Sequence, residues 1–151
     1  ATLHGIPLYD GDVEASEGIP PAVTALKAKI VASDGVLLST PEYNNGIPGV
    51  FKNAIDWLSR PPADAARVFR DRPFAVMGAS PGGFGTILAQ NAWLPVLRTL
   101  CVRQWAGARL MVSRASQVFD EEGTLKDDAV REQLGKFVAG FAGFAGENRR
   151  R

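Results

Sequence analysis

The sequence holds few of the residues from which side-chain chemistry is built. Its single cysteine, Cys101, allows no internal disulfide and no cysteine-rich metal site. Apolar neighbours favour a buried small hydrophobe at that position over a nucleophile. The one histidine, His4, lies in a proline-bearing segment, which excludes a histidine-centred triad on a sheet and a histidine cluster for zinc. Neither sign of charge dominates: 17 Lys and Arg stand against 16 Asp and Glu, a formal net charge of +1. That balance argues against a nucleic-acid partner. No apolar run approaches the ~20 residues of a membrane span, and no basic-then-apolar export signal opens the chain. The expectation is a soluble cytoplasmic protein without a membrane partner. Arg149, Arg150 and Arg151 read as a solvated tail. With no repeat, low-complexity segment or linker, residues 1–151 read as one domain, long enough to bury roughly 70% of the unfolded surface.

Two short apolar runs stand out. Val36-Leu37-Leu38, after Asp34-Gly35, predicts a strand over 36–40, and Phe74-Ala75-Val76-Met77 predicts a second. A third is expected at 108–112. Pro7 makes a central strand over 1–12 unfavourable, so that stretch reads as the tail of an edge strand or a loop. Pro20 and Pro21 open a helix whose buried stripe is Val23, Leu26 and Ile30, with Lys27 and Lys29 facing water. A second helix covers 50–60. Residues 61–72, with prolines and four arginines counting Arg60, read as a surface connection. A third helix covers 86–100, where Pro95 should kink it near 91–94. A last helix shows Val130, Leu134, Phe137, Val138 and Phe141 at helical spacing, with Asp127 and Asp128 as capping residues at its start. Trp57, Trp93 and Trp105 read as core or subunit contact. Strands alternating with helices build a parallel sheet covered on both faces. Right-handed crossovers bring the loops after the first two strands to one edge of it.

Those loops carry the candidate site. The first runs through Pro41, Glu42, Tyr43, Asn44, Asn45 and Gly46. A tight turn needs only the Asn45-Gly46 pair, so the neighbouring carboxylate, phenol and amide point to a ligand. The second, Ala79-Ser80-Pro81-Gly82-Gly83-Phe84-Gly85, lets peptide N–H groups approach a ligand closely, and reads equally as a plain glycine turn. It is neither a Walker A loop, since Phe84 and Gly85 replace Lys and Ser/Thr, nor a dinucleotide fingerprint, since Leu88 occupies the third glycine position. With few nucleophiles or proton relays in the chain, a bound cofactor that carries its own chemistry is the economical reading.

Thr-Pro-Glu-Tyr-Asn-x-x-x-Pro-Gly-x-x-Lys-Asn-Ala-Ile-Asp-Trp, from Thr40 to Trp57, closely resembles the signature of the NADPH-dependent FMN reductase family in its chromate/quinone reductase branch. Ile6-Pro-Leu-Tyr-Asp10, the Gly78-Ala-Ser-Pro-Gly loop and Phe119-Asp-x-x-Gly-x-Leu125 match as well. The resemblance implies a flavodoxin-like three-layer αβα sandwich with a parallel sheet, binding FMN and drawing electrons from NADPH or NADH. It implies that Pro41, Glu42, Tyr43 and Asn44 wrap the ring and ribityl chain, with Ala79 and Ser80 on the other side; Asn45, Gly46, Gly82 and Gly83 complete the candidate set. The implied activity is ping-pong reduction of small acceptors such as quinones, and of chromate or azo compounds, with no protein group acting as catalyst. The implied assembly is a homodimer or homotetramer, with the helix carrying Lys52 to Trp57 at the contact. Rival readings are a flavodoxin-like electron carrier and a truncated, non-catalytic interaction module.

Family members begin with a strand and a phosphate-cradling loop, and neither is found here. That strand would be central and would bury about five apolar side chains, on the order of 10 kcal/mol, against a net stability of about 5–15 kcal/mol. The expectation is a longer polypeptide carrying at least one more βα unit of roughly 30 residues.

Overall fold

The computed structural model describes residues 1–147; the arginine tail lies outside them. Residues 1–10 form no strand, so the loop reading holds there, and a helix unforeseen in the sequence follows. Helix α1 (Gly11–Glu17) starts where the Asp10 carboxylate accepts from the N–H groups of Asp12 and Val13, an N-cap. Helix α2 (Pro21–Val31) uses Pro21 in its first turn and buries Val23 and Ile30 as expected. Strand β1 (Val36–Ser39) follows the Asp34-Gly35 bend. Helix α3 (Gly49–Leu58) buries Ala54, Ile55, Trp57 and Leu58.

The supposed surface connection contains a helix, α4 (Pro62–Phe69), whose Val68 and Phe69 are wholly buried. Pro62 is pre-set for the first helical turn, and the arginines stand on its solvent side and beyond its end. Strand β2 (Pro73–Ala79) and helix α5 (Ile87–Thr99) come next, with Pro95 inside the latter. The third strand is shorter than expected and preceded by another: β3 (Arg103–Gln104) and β4 (Met111–Val112) each pair with β2. A single turn, α6 (Ala115–Val118), leads through the Asp120 turn to α7 (Asp128–Glu147), where Asp127 caps the N–H of Val130. Phe137 and Phe141 are buried on α7, whereas Val138 lies outside the stripe and is exposed. Cys101 corrects its expectation too: it is exposed, in a left-handed turn (φ 55°).

All strand pairs are parallel, in the order β1-β2-β3 with β4 also on β2. Alternate residues of β2 face opposite layers. Phe74 and Val76 join α2, α3, α4 and α5 around Trp57, Trp93 and Phe69, while Ala75 and Met77 join α7 around Phe137 and Trp105. This is a flavodoxin-like arrangement: an open parallel sheet with helices on both faces. The three tryptophans are thereby core residues. Trp57 and Trp93 have no exposed surface, and Trp105 packs edge-on to Phe137 with ring centroids 4.9 Å apart.

Lys27 departs furthest from its expected place in water. It is 4% exposed, and its ammonium donates to the Asp64 carboxylate at 2.9 Å and to the Arg60 carbonyl. Arg67 shares the same carboxylate at 2.7 Å. Hydrogen bonds from Arg67 and then Lys27 hold the Asp64 carboxyl down to about 2. A depressed carboxyl adds stability above its unfolded value and loses it as pH falls through the folded one. The stability difference between the wild type and Asp64→Asn is therefore expected to stay constant above about pH 4 and to shrink between there and about pH 2, as urea titrations at a series of pH values would read.

Candidate functional site

The first loop leaves the sheet at Thr40, whose N–H donates to Met77 O on β2 at 2.9 Å and whose buried hydroxyl donates to the Pro41 carbonyl at 2.8 Å. Tyr43 and Gly46 then exchange two backbone hydrogen bonds, 3.1 and 3.0 Å. They enclose Asn44 (φ 48°) and Asn45 (φ 61°), both left-handed, in the manner of a two-residue type I′ turn. The left-handed pair is thus Asn44-Asn45 and not Asn45-Gly46 as the sequence suggested. Asparagine tolerates this region because its short amide can bond locally. Both amides accordingly shape the turn, and both remain exposed, as do Pro41 and Tyr43.

The second loop is pinned at its base. Ser80 N–H donates to Val112 O (2.9 Å), Ser80 O accepts from Ala115 N–H (3.0 Å), and Gly82 O accepts from Arg114 N–H (2.9 Å). The Ser80 hydroxyl donates inward to the Gly85 carbonyl, so it is spent on the loop's shape, and Ala79 packs into the layer under α7. Gly82 and Gly83 stand exposed. Gly85 needs its positive φ of 62° where it passes 2.9 Å from the Met111 backbone, measured from the place a Cβ would take.

The two loops meet. Glu42 reaches across to the start of α5, where its carboxylate accepts from Leu88 N–H (2.9 Å) and Ala89 N–H (3.0 Å). Those N–H groups lack partners within the helix, and the positive end of the helix dipole favours the charge. The resemblance put Glu42 against the cofactor; the structure puts its carboxylate on α5. Beneath it, Gly78 lies so close to the first loop that a Cβ there would stand 2.0 Å from Thr40 O. Glu42→Ala is expected to cost about 1–2 kcal/mol, as loss of a helix cap does, and Glu42→Gln less because its amide oxygen still accepts. A shifted urea midpoint at unchanged slope would show it.

The remainder of the long motif has a structural duty that sequence reasoning missed. Asn53 Nδ2 donates to Pro7 O (2.8 Å), Asn53 Oδ1 accepts from Tyr9 N–H (2.8 Å), and Trp57 Nε1 donates to the same Pro7 carbonyl (2.9 Å). The motif on α3 therefore clamps the Ile6-Pro-Leu-Tyr segment, and the co-occurrence of the two motifs was the available signal. Farther along, Glu14 accepts from Arg60 and from the Tyr9 hydroxyl; the Arg60 hydrogen bond above all holds its carboxyl below the usual range.

Both loops leave the carboxyl end of the sheet, where an open parallel sheet takes its ligands; Pro41, Tyr43, Asn44 and Asn45 of the first and Gly82, Gly83 and Phe84 of the second are exposed there. Exposed aromatic and amide edges in the first loop and peptide groups free of side chains in the second are groups that suit a flat, weakly polar ring. Around the positions where Gly83 would carry a Cβ nothing lies within 4 Å, and at Gly82 only the Ser80 hydroxyl, at 3.9 Å. Among the described residues no group of three or more His, Cys, Asp or Glu could hold a metal ion.

Known proteins resemble this chain over most of its length. The family model for NADPH-dependent FMN reductase matches residues 1–117. An NAD(P)H-dependent FMN reductase of Pseudomonas aeruginosa is 46% identical over 134 residues, 89% of this chain and 70% of that protein. A 2-hydroxy-1,4-benzoquinone reductase of a Burkholderia species is 32% identical over 147 residues, 97% of this chain and 78% of that one. Among solved structures, the flavoenzyme NAD(P)H:(acceptor) oxidoreductase FerB of Paracoccus denitrificans superposes with a TM-score of 0.83 at 32% identity, covering 96% of this chain and 78% of its own.

Proposed function

The chain belongs to the NADPH-dependent FMN reductase family, and from that membership we propose that it is an FMN-dependent NAD(P)H oxidoreductase reducing quinones and similar small acceptors. The observation that carries the reading is the meeting of two backbone loops at one rim of the sheet, tied by Glu42 to the start of α5. FMN, when bound, would supply the redox chemistry between nicotinamide and acceptor.

What the chain's own residues do is hold and orient. Pro41, Tyr43, Asn44, Asn45 and Gly46 form one wall; Ala79, Ser80, Gly82 and Gly83 form the other. Glu42 acts as a positioning residue that sets the distance between them. The tight turn at Asn44-Asn45 presents its two amides without lengthening the loop. The exposed Tyr43 and Phe84 rings (57% and 84%) offer flat surface to an aromatic acceptor.

Family membership supports an enzyme over the electron carrier and the interaction module. Exposed Val50 on α3 and exposed Leu88 and Leu94 on α5 support a contact between copies, as a homodimer or homotetramer. Among the described residues no helix is long and apolar enough to cross a membrane, in keeping with a cytoplasmic location. The test is the visible spectrum of the purified protein. Flavin absorbance is expected to bleach on anaerobic addition of NADPH or NADH and to return on adding benzoquinone. Flavin that stays oxidised with both nicotinamides would overturn the reading.

A further inference from the structure

The second loop is held at both ends by one short stretch, Leu110-Met111-Val112. At its start, Ser80 N–H donates to Val112 O. At its end, Gly85 lies against the Met111 backbone. One turn into α5, the Gln90 amide reaches the remaining residue: Nε2 donates to Leu110 O at 3.0 Å and to Thr86 Oγ1 at 2.9 Å. A carbonyl only accepts, so it is the NH2 of this amide that faces Leu110, and both of its hydrogens are in use. Leu110 O takes a second donor, the Gly78 N–H of β2, at 3.1 Å. Thr86 explains why its hydroxyl is free for this tie. It is the N-cap residue of α5, yet its side chain makes no cap bond. A capping threonine would accept from the second or third helical N–H. Those belong to Leu88 and Ala89, and the Glu42 carboxylate holds both.

We propose that Gln90 is a positioning residue for the flavin: its amide sets where the loop of Gly82 and Gly83 stands relative to the first loop. This inference rests on the FMN reading above. Glu42 and Gln90 grip the same helix start from two sides, one from the first loop and one from the sheet. Thr86 and Leu110 are 0% and 5% exposed, and a hydrogen bond lost at such groups is poorly made good by water. With the amide gone, the Ser80 end of the loop stays fixed on Val112 while the Thr86 end is released from Leu110. Gly82 and Gly83, which carry no side chain to pack, then follow the released end. What the position requires is two donors at a fixed reach. Methionine matches glutamine in length and in helix propensity but donates nothing, so it removes the tie and keeps the helix.

The test loads the full polypeptide with FMN and compares wild type, Gln90→Met and Asn53→Ala. Serial dilution, read by the fluorescence of released flavin, gives the dissociation constant, and visible circular dichroism reports the setting of the bound ring. Gln90→Met is expected to hold FMN about tenfold more weakly, with an altered dichroism of the bound flavin. Asn53→Ala, which loosens the Pro7 clamp, is expected to stay within about twofold of the wild type. A residue that served stability alone would leave both readings unchanged, so a folded Gln90→Met with the wild-type constant and dichroism overturns the proposal. Hydrogen exchange by NMR needs no variant to fold. The Gln90 side-chain amide of the wild type is expected to exchange about tenfold or more slowly than that of Gln133, exposed on α7. Equal rates would overturn the tie and the proposal with it. Wild type that takes up no FMN would overturn the redox reading itself, whereas FMN held equally by wild type and Gln90→Met would overturn the role of Gln90 alone.

Discussion

Gly78→Ala is expected to lower the thermal midpoint by roughly 6–12 °C and to strip the protein of bound flavin. The added Cβ would lie 2.0 Å from Thr40 O and 2.4 Å from Thr86 Oγ1, well inside contact distance. Neither neighbour can withdraw cheaply. Thr40 is buried with its N–H on Met77 O, Thr86 is buried beside the start of α5, and Gly78 itself bonds Leu110 O. Relief must come from moving the first loop off the sheet, which separates the two walls of the site. Overpacking of a rigid core costs about 3 kcal/mol or more in such a case, and each kcal/mol moves the midpoint by about 2–4 °C at this chain length. A melting curve and a flavin-to-protein ratio check both parts. Gly135→Ala gives the contrast: it sits on α7 with nothing within 4 Å of the added carbon. There, alanine is expected to stabilise by about 0.5–1 kcal/mol through helix propensity alone.

Trp57→Ala is expected to cost about 3–5 kcal/mol, a large part of the roughly 5–15 kcal/mol that holds a domain together. The ring has no exposed surface, and Tyr9 packs edge-on to it at 4.9 Å. Its indole N–H and Asn53 Nδ2 share the Pro7 carbonyl, so the two side chains hold one segment together. Trp57→Phe keeps most of the apolar volume and leaves Asn53 on the carbonyl, so its cost is expected near 1–2 kcal/mol. Because they share a partner, Trp57→Phe and Asn53→Ala should be non-additive by about 0.5 kcal/mol or more. Urea titrations of the two single variants and the double variant measure that coupling, and additive costs would sever the clamp from the motif.

The parts of the fold legible in the sequence are those specified locally. Val36-Leu37-Leu38 and Phe74-Ala75-Val76-Met77 are continuous apolar runs of three and four residues bounded by turn and charge signals, and runs so short suit a strand better than a helix. The Asp127 cap and the α7 stripe at Phe137 and Phe141 are likewise local patterns. What escaped depends on distant partners. Lys27 lies four residues after Val23 and three before Ile30, so spacing puts it on the buried stripe and only its charge pointed to water; Asp64, 37 residues on, meets that charge there. Helix α4 is only eight residues long, and Val68 and Phe69 reveal its buried side only at the last turn. Strand β3 is two polar residues whose pairing is chosen by the second edge of β2. At the site, residue types single out the two loops as candidates. The Glu42 bond to α5 joins residues 46 and 47 positions apart, a separation that no motif spacing encodes.

That carboxylate bond also bears on how a guest is received. With Glu42 fastened to the first turn of α5, and the Ser80 loop stapled to Val112 and Ala115, the two jaws keep their gap before anything lies between them. Entry then resembles a coin sliding into a cut slot rather than fingers closing on it. The heat capacity change of association should follow the apolar area covered by the guest, with little added from folding of the loops around it.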